Sequence, residues 1–280
     1  MNDQDITVII TSFHSGEKIF NCIESINKDV KIIVVENSND QELKEKIQSK
    51  YKNVDCILSE ENLGYGAGNN LGLSKVLTNY ALIVNPDVTL ENDTIDNFFL
   101  TIKNVKNFGI IAPISKDEIY TNFSIDNDKN LKEVESVKGF AMFLSMNNLK
   151  EIKFFDENFF LYFEEIDLCK RIRKNDIKIY IDPSIKVNHL GGTSHNSEIN
   201  KKMELSRNWH WMWSSFYYHK KHYGYINALL KISPKLPSSL IKFIFYLLIF
   251  QKFKSDIYKH RVFGIINSVL LKKSWYRPRI

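Results

Sequence analysis

The sequence of 280 residues is poor in cysteine and has no long hydrophobic run. Its three cysteines lie far apart and form no Cys-x-x-Cys pair, which indicates neither a disulfide framework nor a zinc site and favours a reducing cytoplasm. Residues 240–250 are apolar apart from Lys242, but these eleven residues are well short of the about 20 that a membrane-spanning helix needs. The acidic N-terminus leads directly into an apolar segment, so we expect no signal peptide.

Charge is distributed unevenly along the chain. The net charge is +5, but residues 231–280 hold eleven lysines and arginines against one acid, whereas residues 1–230 hold 27 against 32 acids. An acidic body argues against a nucleic-acid partner, because such partners call for a basic face on the folded domain. The basic, aromatic tail predicts a negatively charged partner at one end of the chain, although it is also typical of a solvated terminus.

Short apolar segments alternate with amphipathic ones through the first half of the chain. Strands are predicted at 6–10, 32–35, 54–58, 81–84, 109–112, 137–144, 177–181 and 185–187. Helices are predicted at 17–27, 42–50, 65–77, 95–105 and 165–173, and residues 115–135 are predicted to form a loop or hairpin. This alternation is typical of an α/β fold with a doubly wound sheet.

Polar side chains follow three of the predicted strands where each apolar run stops, at residues 11–13, 36–38 and 85–87. In open α/β sheets, ligands bind at the carboxyl ends of the strands. Any one of these clusters is equally typical of a helix cap or a turn. Three together predict a ligand site along this edge.

The segment 62–72 is rich in glycine and opens a predicted helix, a combination that can bring backbone N–H groups close to a phosphate. Its glycines (Gly66, Gly68 and Gly72) miss the Gly-x-Gly-x-x-Gly spacing by one residue and follow the third strand, so a dinucleotide site is disfavoured. Another diphosphate-bearing ligand remains open. Asp87 and His189 each follow a strand and form a candidate metal site, for which the imidazole favours Mn²⁺ over Mg²⁺.

Three acids open the helix predicted at 165–173, beside a dense aromatic cluster. Asp167 lies four residues before Arg171, which predicts a structural ion pair. Glu165 shares a helix face with Leu168 and Ile172, so its carboxylate should point inward and accept a proton. Glu164 is the alternative base, and ordinary first-turn acids are the structural alternative for all three.

Together these segments, in this order and spacing over residues 6–225, resemble the family 2 glycosyltransferases, and most closely the bacterial rhamnosyltransferases within that family. The resemblance implies the GT-A fold, which is a Rossmann-like mixed sheet with helices on both faces, here followed by a C-terminal helical tail. It also implies inverting transfer of a sugar from a UDP- or dTDP-linked donor to a glycan or lipid-linked acceptor, with Mn²⁺ or Mg²⁺ as cofactor.

The resemblance also assigns roles to individual residues. The base and ribose pocket would be lined by Thr11, Phe13 and Glu36, and Asp87 with His189 would bind the metal. Other residues implied to line the nucleotide-sugar cleft are Asn37, Asn62, Gly64, Asn69, Asn85, Lys138 and Gly139. Glu164 or Glu165 would be the catalytic base. Glu36 and Glu165 stand where the family usually has Asp, which lengthens the reach of each carboxylate.

The tail is predicted to be a separate region. Pro234 and Pro237 mark the boundary, which gives a catalytic domain at 1–224 and a basic, amphipathic helical region at 225–280. Residues 240–250 with their flanking lysines are typical of a helix lying on anionic lipid, on the inner face of the cell membrane, and 260–264 also resembles the rhamnosyltransferase tail. The aromatic segment 207–223 is either a packing helix or an acceptor surface. A sugar nucleotidyltransferase and an inactive sugar-nucleotide-binding subunit are the alternatives.

Overall fold

A computed structural model describes residues 5–115, 130–189 and 197–278 of the chain. Contacts divide the chain into two units. The first unit comprises Met1–Phe155 and Glu165–Ser194, and the second comprises Asp156–Glu164 and His195–Ile280.

The first unit is built on one mixed sheet. Its strands are β1 (Ile6–Ser12), β2 (Lys31–Glu36), β3 (Val54–Leu58), β4 (Tyr80–Val84), β5 (Val88–Leu90), β6 (Phe108–Ser115), β7 (Lys132–Glu133), β8 (Ala141–Ser145) and β9 (Lys178–His189). Among the described residues the strand order is β3-β2-β1-β4-β8-β6-β9-β5, and β7 pairs with β9. The strands β1 to β4 are parallel. β8 is antiparallel to both of its neighbours, and β5 is antiparallel to β9. The predicted mixed sheet is confirmed.

Helices cover both faces of this sheet. They are α1 (Lys18–Glu24), α2 (Gln41–Lys50), α3 (Gly64–Leu73), α4 (Thr94–Asn104), α5 (Met146–Lys150) and α6 (Glu164–Arg173). Because side chains alternate along a strand, Val8 and Ile10 of β1 pack in one core with α1, α2 and α4. Ile9 packs in the opposite core with residues of α3, α5 and α6. The near-continuous apolar runs of the sequence therefore mark strands buried on both sides.

Several predicted boundaries differ from the observed ones. The strand predicted at 137–144 begins only at Ala141. The strands predicted at 177–181 and 185–187 are one strand, β9, whose pairing with β6 is irregular between Asp182 and Lys186. The Asp182 carboxylate accepts hydrogen bonds from the backbone N–H and the hydroxyl of Ser184, at 2.9 and 2.6 Å. These bonds form a local turn at the irregular part of the strand. Most of the loop predicted at 115–135 lies outside the described residues, and residues 132–133 form β7.

The second unit is helical, as predicted for the tail. Its helices are α7 (Ser197–Tyr223), α8 (Tyr225–Ile232), α9 (Lys235–Leu248) and α10 (Lys252–Val269). Its core is formed by Met212, Phe216, Ala228, Ile232 and Ile265, which come from α7, α8 and α10. The boundary predicted at 224 and 225 falls between α7 and α8. By contacts, however, α7 groups with the later helices.

Two features allow α10 to pack closely against α7. A Cβ built on Gly264 would lie 2.3 Å from the backbone oxygen of Trp209, so the two helices can approach this closely only without a side chain at that position. Arg261 Nε donates a 2.7 Å hydrogen bond to Asn208 Oδ1. The tail segment 260–264 thus has a packing reason for its sequence. In the part of the chain that the structure describes, no helix is both long and apolar enough to cross a membrane.

Candidate active site

The ends of β1 and β2 bring the first two polar clusters to one edge of the sheet. Ser12 lies opposite Glu36 in the parallel register, and the backbone N–H of Asn37 donates to the oxygen of Ser12 at 2.7 Å. The hydroxyl of Thr11 donates to Oδ1 of Asn69 at 2.9 Å, which ties β1 to α3. These predicted site residues therefore lie together, as the strand-end rule requires.

The carboxylate of Glu36 is buried and holds the turn after β2. Its two oxygens accept hydrogen bonds from the backbone N–H of Ser38, at 3.1 and 3.0 Å, and from that of Asp40, at 2.7 Å. The hydroxyl of Ser38 also donates to it. Glu36 thus fixes the loop that borders the nucleotide cleft implied by the resemblance, and its direct contact with a nucleotide stays a prediction.

The glycines of α3 allow this helix to pack closely on the sheet. A Cβ on Gly68 would lie 2.7 Å from Cγ2 of Thr11 and 2.9 Å from Nδ2 of Asn37. A Cβ on Gly72 would lie 2.6 Å from Cγ2 of Ile9. Distances this short leave no room for a side chain at either position. The glycine pattern therefore has a packing reason that is independent of any phosphate.

The turn that leads into α3 is built by two asparagines. Oδ1 of Asn62 accepts from the backbone N–H of Gly64 at 3.0 Å, and Gly64 has φ of +82°, a value that favours glycine. Nδ2 of Asn37 donates to the backbone oxygen of Gly64 at 3.0 Å. Oδ1 of Asn37 is buried and has no hydrogen-bond partner among the described residues. A bound ligand or a water molecule could donate to this oxygen.

Asp87 and His189 are brought together by the pairing of β5 with β9. Val88 lies opposite His189 in this antiparallel register, so Asp87 sits beside the end of β9. Nε2 of His189 lies 3.5 Å from Oδ1 of Asp87, and the two side chains are only 13% and 11% exposed. The His189 ring stacks on Phe140 at 4.9 Å between centroids. The backbone oxygen of Phe140 accepts from the N–H of Asn85 at 2.9 Å, which links the turn before β5 to the same place.

The donor types of this pair fit a divalent cation. Burial raises the pKa of the Asp87 carboxyl, but the hydrogen bond and the charge of His189 outweigh this effect, so the pKa lies below its ordinary value. A carboxylate and an imidazole suit Mn²⁺, with oxygen ligands from a diphosphate and water completing the coordination. Among the residues described, no three histidine, cysteine, aspartate or glutamate side chains cluster as a metal site. Within the described ranges, the site thus has two candidate ligands, Asp87 and His189.

Tyr65 holds part of the candidate site in place, a role that the sequence analysis missed. Its hydroxyl donates to the backbone oxygen of Gly139, and a Cβ on Gly139 would lie 3.1 Å from that hydroxyl. Its ring meets Phe155 edge-on at 5.9 Å. Tyr65 therefore fixes the segment that carries Lys138 and Gly139 against the first turn of α3. A lone tyrosine at a helix start gives no sequence signal for such a contact.

The predicted ion pair of α6 is confirmed. Nε of Arg171 lies 2.8 Å from Oδ2 of Asp167, whose side chain is fully buried. Nη1 of Arg171 also donates to the backbone oxygens of Ile152 and Lys153, at 3.0 and 2.8 Å. Asp167 therefore positions the arginine that braces the segment before Phe155. This carboxylate has a structural role.

Glu165 differs from Asp167 in its surroundings. Its side chain is partly exposed, and Leu168 and Ile172 on the same helix face are fully buried. Burial raises the pKa of the Glu165 carboxyl, with hydrogen bonds to backbone N–H groups opposing the shift. Glu164, the first residue of α6, is buried. A raised pKa makes the ionised carboxylate more basic, which is compatible with a catalytic base at Glu165. The choice between Glu165 and Glu164 stays a prediction.

Comparison with known proteins identifies the family of this chain. Residues 7–167 match the sequence model of glycosyl transferase family 2. The low-salt glycan biosynthesis hexosyltransferase of Haloferax volcanii is 29% identical in an alignment of length 198, which covers 62% of this chain and only 64% of that protein. A rhamnosyltransferase of Escherichia coli is 25% identical in an alignment of length 241, which covers 73% of this chain and 89% of that protein.

A solved structure confirms the fold. A mannosyltransferase from Pyrobaculum calidifontis, in complex with GDP-Man and Mn²⁺, superposes with a TM-score of 0.60 at 11% identity, covering 96% of this chain and 88% of the other. At this identity the likeness concerns the fold alone, which is the GT-A fold predicted from the sequence. With more than half of its residues matched by the family model, the chain belongs to glycosyl transferase family 2.

Proposed function

We propose that this chain is an inverting, metal-dependent glycosyltransferase. It transfers rhamnose or a related hexose from a nucleotide-diphosphate donor to a glycan or lipid-linked acceptor in cell-surface polysaccharide biosynthesis. The observation that carries the proposal is the pair of Asp87 and His189, 3.5 Å apart and largely buried at the end of β9. The relatives support it, since two of them are named as a hexosyltransferase and a rhamnosyltransferase.

The chain's own residues divide the work of this reaction. The edge formed by Thr11, Asn37 and Asn69 would hold the nucleotide, and Asp87 with His189 would hold the cation. When bound, a divalent cation would neutralise charge on the departing nucleotide diphosphate. Glu165 would take the proton from the acceptor hydroxyl as its oxygen bonds to the anomeric carbon from the face opposite the diphosphate. The bond to the diphosphate breaks in the same step, so the product has inverted configuration.

Two substitutions test the assignment. Asp87→Asn and Glu165→Gln should each lower kcat by at least about 10²-fold, the first because a metal ligand is lost and the second because the general base is lost. The measurement is release of nucleoside diphosphate from a panel of UDP- and dTDP-sugars with Mn²⁺, with and without a chelator. Asp55→Asn is the matched control, because the Asp55 side chain is 64% exposed and its partner is Lys31 on the surface.

The outcomes separate the proposal from its alternatives. Near-native turnover in both variants would refute the assigned roles. A loss in Glu164→Gln with none in Glu165→Gln would move the base to Glu164. Release of pyrophosphate in place of nucleoside diphosphate would indicate a nucleotidyltransferase. Donor binding without turnover in the native chain would indicate an inactive sugar-nucleotide-binding subunit.

The second unit supports a further part of the proposal, which is binding to the anionic inner face of the cell membrane. Four large apolar side chains of α9 are exposed at helical spacing and so share one face: Ile241, Ile244, Phe245 and Leu248. Exposed lysines follow this helix at Lys252, Lys254 and Lys259. An apolar face next to basic residues matches an anionic lipid surface in both respects.

Sedimentation with vesicles tests this surface. The full chain should pellet with phosphatidylglycerol vesicles at low salt and far less with phosphatidylcholine vesicles. Ile244→Glu should weaken pelleting, whereas Leu77→Glu should not, because Leu77 is 96% exposed but lies in the first unit. Equal pelleting of the two variants would remove α9 from the proposal.

A further inference from the structure

One helix face of the second unit lines a small polar pocket. Residues 204, 207, 208 and 211 of α7 are spaced i, i+3, i+4 and i+7, so they share one side of the helix. The pocket has a volume of about 190 Å³ and is lined by Tyr162, Glu204, Arg207, Asn208, Trp211 and Arg261. Sites for drug-sized ligands start at about 300 Å³. This pocket is therefore sized for a single small group.

Two guanidinium groups dominate the chemistry of the pocket. Nε of Arg261 donates to Oδ1 of Asn208, and Nδ2 of Asn208 donates to Oε1 of Glu204 at 2.7 Å. Two consecutive hydrogen bonds therefore link these three side chains. Nη1 of Arg207 lies 3.7 Å from Oε2 of Glu204, which is an ion pair beyond hydrogen-bond distance. The pocket thus contains one carboxylate, that of Glu204, and two guanidinium groups, those of Arg207 and Arg261, so its net charge is +1.

Within the ranges that the structure describes, most of the donors on these arginines are not used by other side chains or by the backbone. Among the described residues, the Arg207 guanidinium makes no hydrogen bond and the terminal nitrogens of Arg261 have none. A guanidinium presents five N–H donors in a planar fork that matches the oxygens of a phosphate. Two such forks in one pocket can bind one phosphate group from two sides.

The other wall of the pocket is aromatic and held by an unusual turn. The rings of Tyr162 and Trp211 meet edge-on at 5.2 Å, and Trp211 is 41% exposed. Tyr162 and Phe163 both have positive φ, at +68° and +71°, a left-handed conformation that non-glycine residues rarely adopt. The Phe163 ring packs on Trp211 and Tyr218 at 5.3 and 5.5 Å, which holds this turn in place. The turn thereby keeps Tyr162 at the pocket, where an aromatic face can pack on a sugar ring.

We propose that this pocket binds a phosphate group attached to the sugar acceptor, with Arg207 and Arg261 on the phosphate and Trp211 and Tyr162 against the neighbouring ring. The proposal rests on the proposed glycosyl transfer only in naming the ligand as part of an acceptor. The phosphate could equally belong to a soluble sugar phosphate or to a lipid headgroup, because both present the same oxygens to the two guanidinium groups.

Calorimetry on the full chain tests the pocket. Arg207→Gln is the informative variant, because the Arg207 side chain holds no other part of the protein by a hydrogen bond among the described residues, whereas Arg261 also holds Asn208. It should weaken binding of α-D-glucose 1-phosphate at least about tenfold, as expected for losing a charge-assisted hydrogen bond. The control is Lys272→Gln, which makes the same change of charge at an exposed residue outside the pocket.

A second arm distinguishes the source of the phosphate. If glucose 1-phosphate does not bind but Arg207→Gln reduces binding to phosphatidylglycerol vesicles more than the lysine control does, the phosphate is that of a lipid headgroup. Equal effects of Arg207→Gln and the control in both experiments would overturn the proposal that this pocket binds a phosphate group. Binding of nucleoside diphosphate with Mn²⁺ is measured on the same proteins. It should be unchanged in Arg207→Gln, and its absence in the native chain would count against the proposed function alone.

Discussion

Mild acid should destabilise the second unit through one buried histidine. His210 is fully buried; its Nε2 lies 2.8 Å from the backbone oxygen of Tyr276, and its Nδ1 lies 3.1 Å from the hydroxyl of Ser274. Nε2 therefore carries the proton of the neutral ring, and Nδ1 accepts from Ser274. Burial lowers the pKa of His210 from 6.5 to about 3, and the charge of Arg277 acts in the same direction against the hydrogen bond to Tyr276.

The sign and size of the effect follow from this pKa. In the unfolded chain the imidazole binds a proton below about pH 6.5, whereas in the folded unit it does so only below about 3. Between these values the unfolded state binds more protons, so the free energy of unfolding falls as the pH falls. Between pH 7.5 and 5 the loss from this one group amounts to about 2 kcal/mol, at about 1.4 kcal/mol per pH unit once the unfolded ring is charged.

Tryptophan fluorescence is a selective reporter for this experiment. All four tryptophans lie in the second unit, at Trp209, Trp211, Trp213 and Trp275. Urea unfolding would be followed at pH 7.5 and at pH 5 for the native chain and for His210→Gln. At pH 7.5 the variant should be less stable than the native chain, because it loses the packing of the buried imidazole. Between pH 7.5 and pH 5, however, its free energy of unfolding should fall by about 2 kcal/mol less than that of the native chain.

Another group of the same unit does not interfere in this window. Burial raises the pKa of Asp156, but its hydrogen bonds to Lys221 and Asn158 outweigh burial and hold the pKa below its ordinary 3.8. Its contribution to stability is therefore fully present at pH 5 and is lost only at lower pH. If the native chain and His210→Gln lose the same free energy between pH 7.5 and 5, the reasoning about His210 is wrong.

Two further predictions concern packing. Gly264→Ala should destabilise the second unit by about 1–3 kcal/mol in urea unfolding, because the new Cβ would meet the backbone oxygen of Trp209. If helix propensity decided the effect, the substitution would instead stabilise the unit by about 1 kcal/mol, which would contradict this packing argument. Arg171→Met should cost about 3–5 kcal/mol, because it removes the arginine that pairs with the buried carboxylate of Asp167. The control Arg173→Met removes an exposed ion pair and should cost under about 1 kcal/mol in thermal or urea unfolding, and similar losses in the two arginine variants would contradict the role given to Asp167.

The sequence predicted the body of the sheet because its strands are buried on both faces and so read as apolar runs. It missed β5, whose three residues are too few to form a pattern and whose partner, β9, lies about a hundred residues further along the chain. That pairing is nonlocal, so neither segment carries a local signal of it. The prediction that Asp87 and His189 lie together came from the family resemblance and from their positions after strands, and β5 supplies the physical reason.

The interpretation of side chains was less complete than that of the strands. A glycine-rich segment is compatible with phosphate binding and with close helix packing, and only coordinates separate the two, as they do for Gly68 and Gly72. The polar face of α7 was also not recognised, because the aromatic residues around it dominate the composition of that segment. The i, i+3, i+4 and i+7 spacing of residues 204, 207, 208 and 211 was nevertheless visible in the sequence and indicates a shared helix face.

The irregular stretch of β9 between Asp182 and Lys186 separates two parts of one strand. Before it, the strand is aligned by β6, and after it, the register with β6 resumes and β5 joins on the other side. Extra or missing residues in this stretch can be absorbed locally, since pairing restarts beyond it. The histidine at the strand's end can therefore keep its register with Val88, and its place beside Asp87, whatever the length of this irregular stretch.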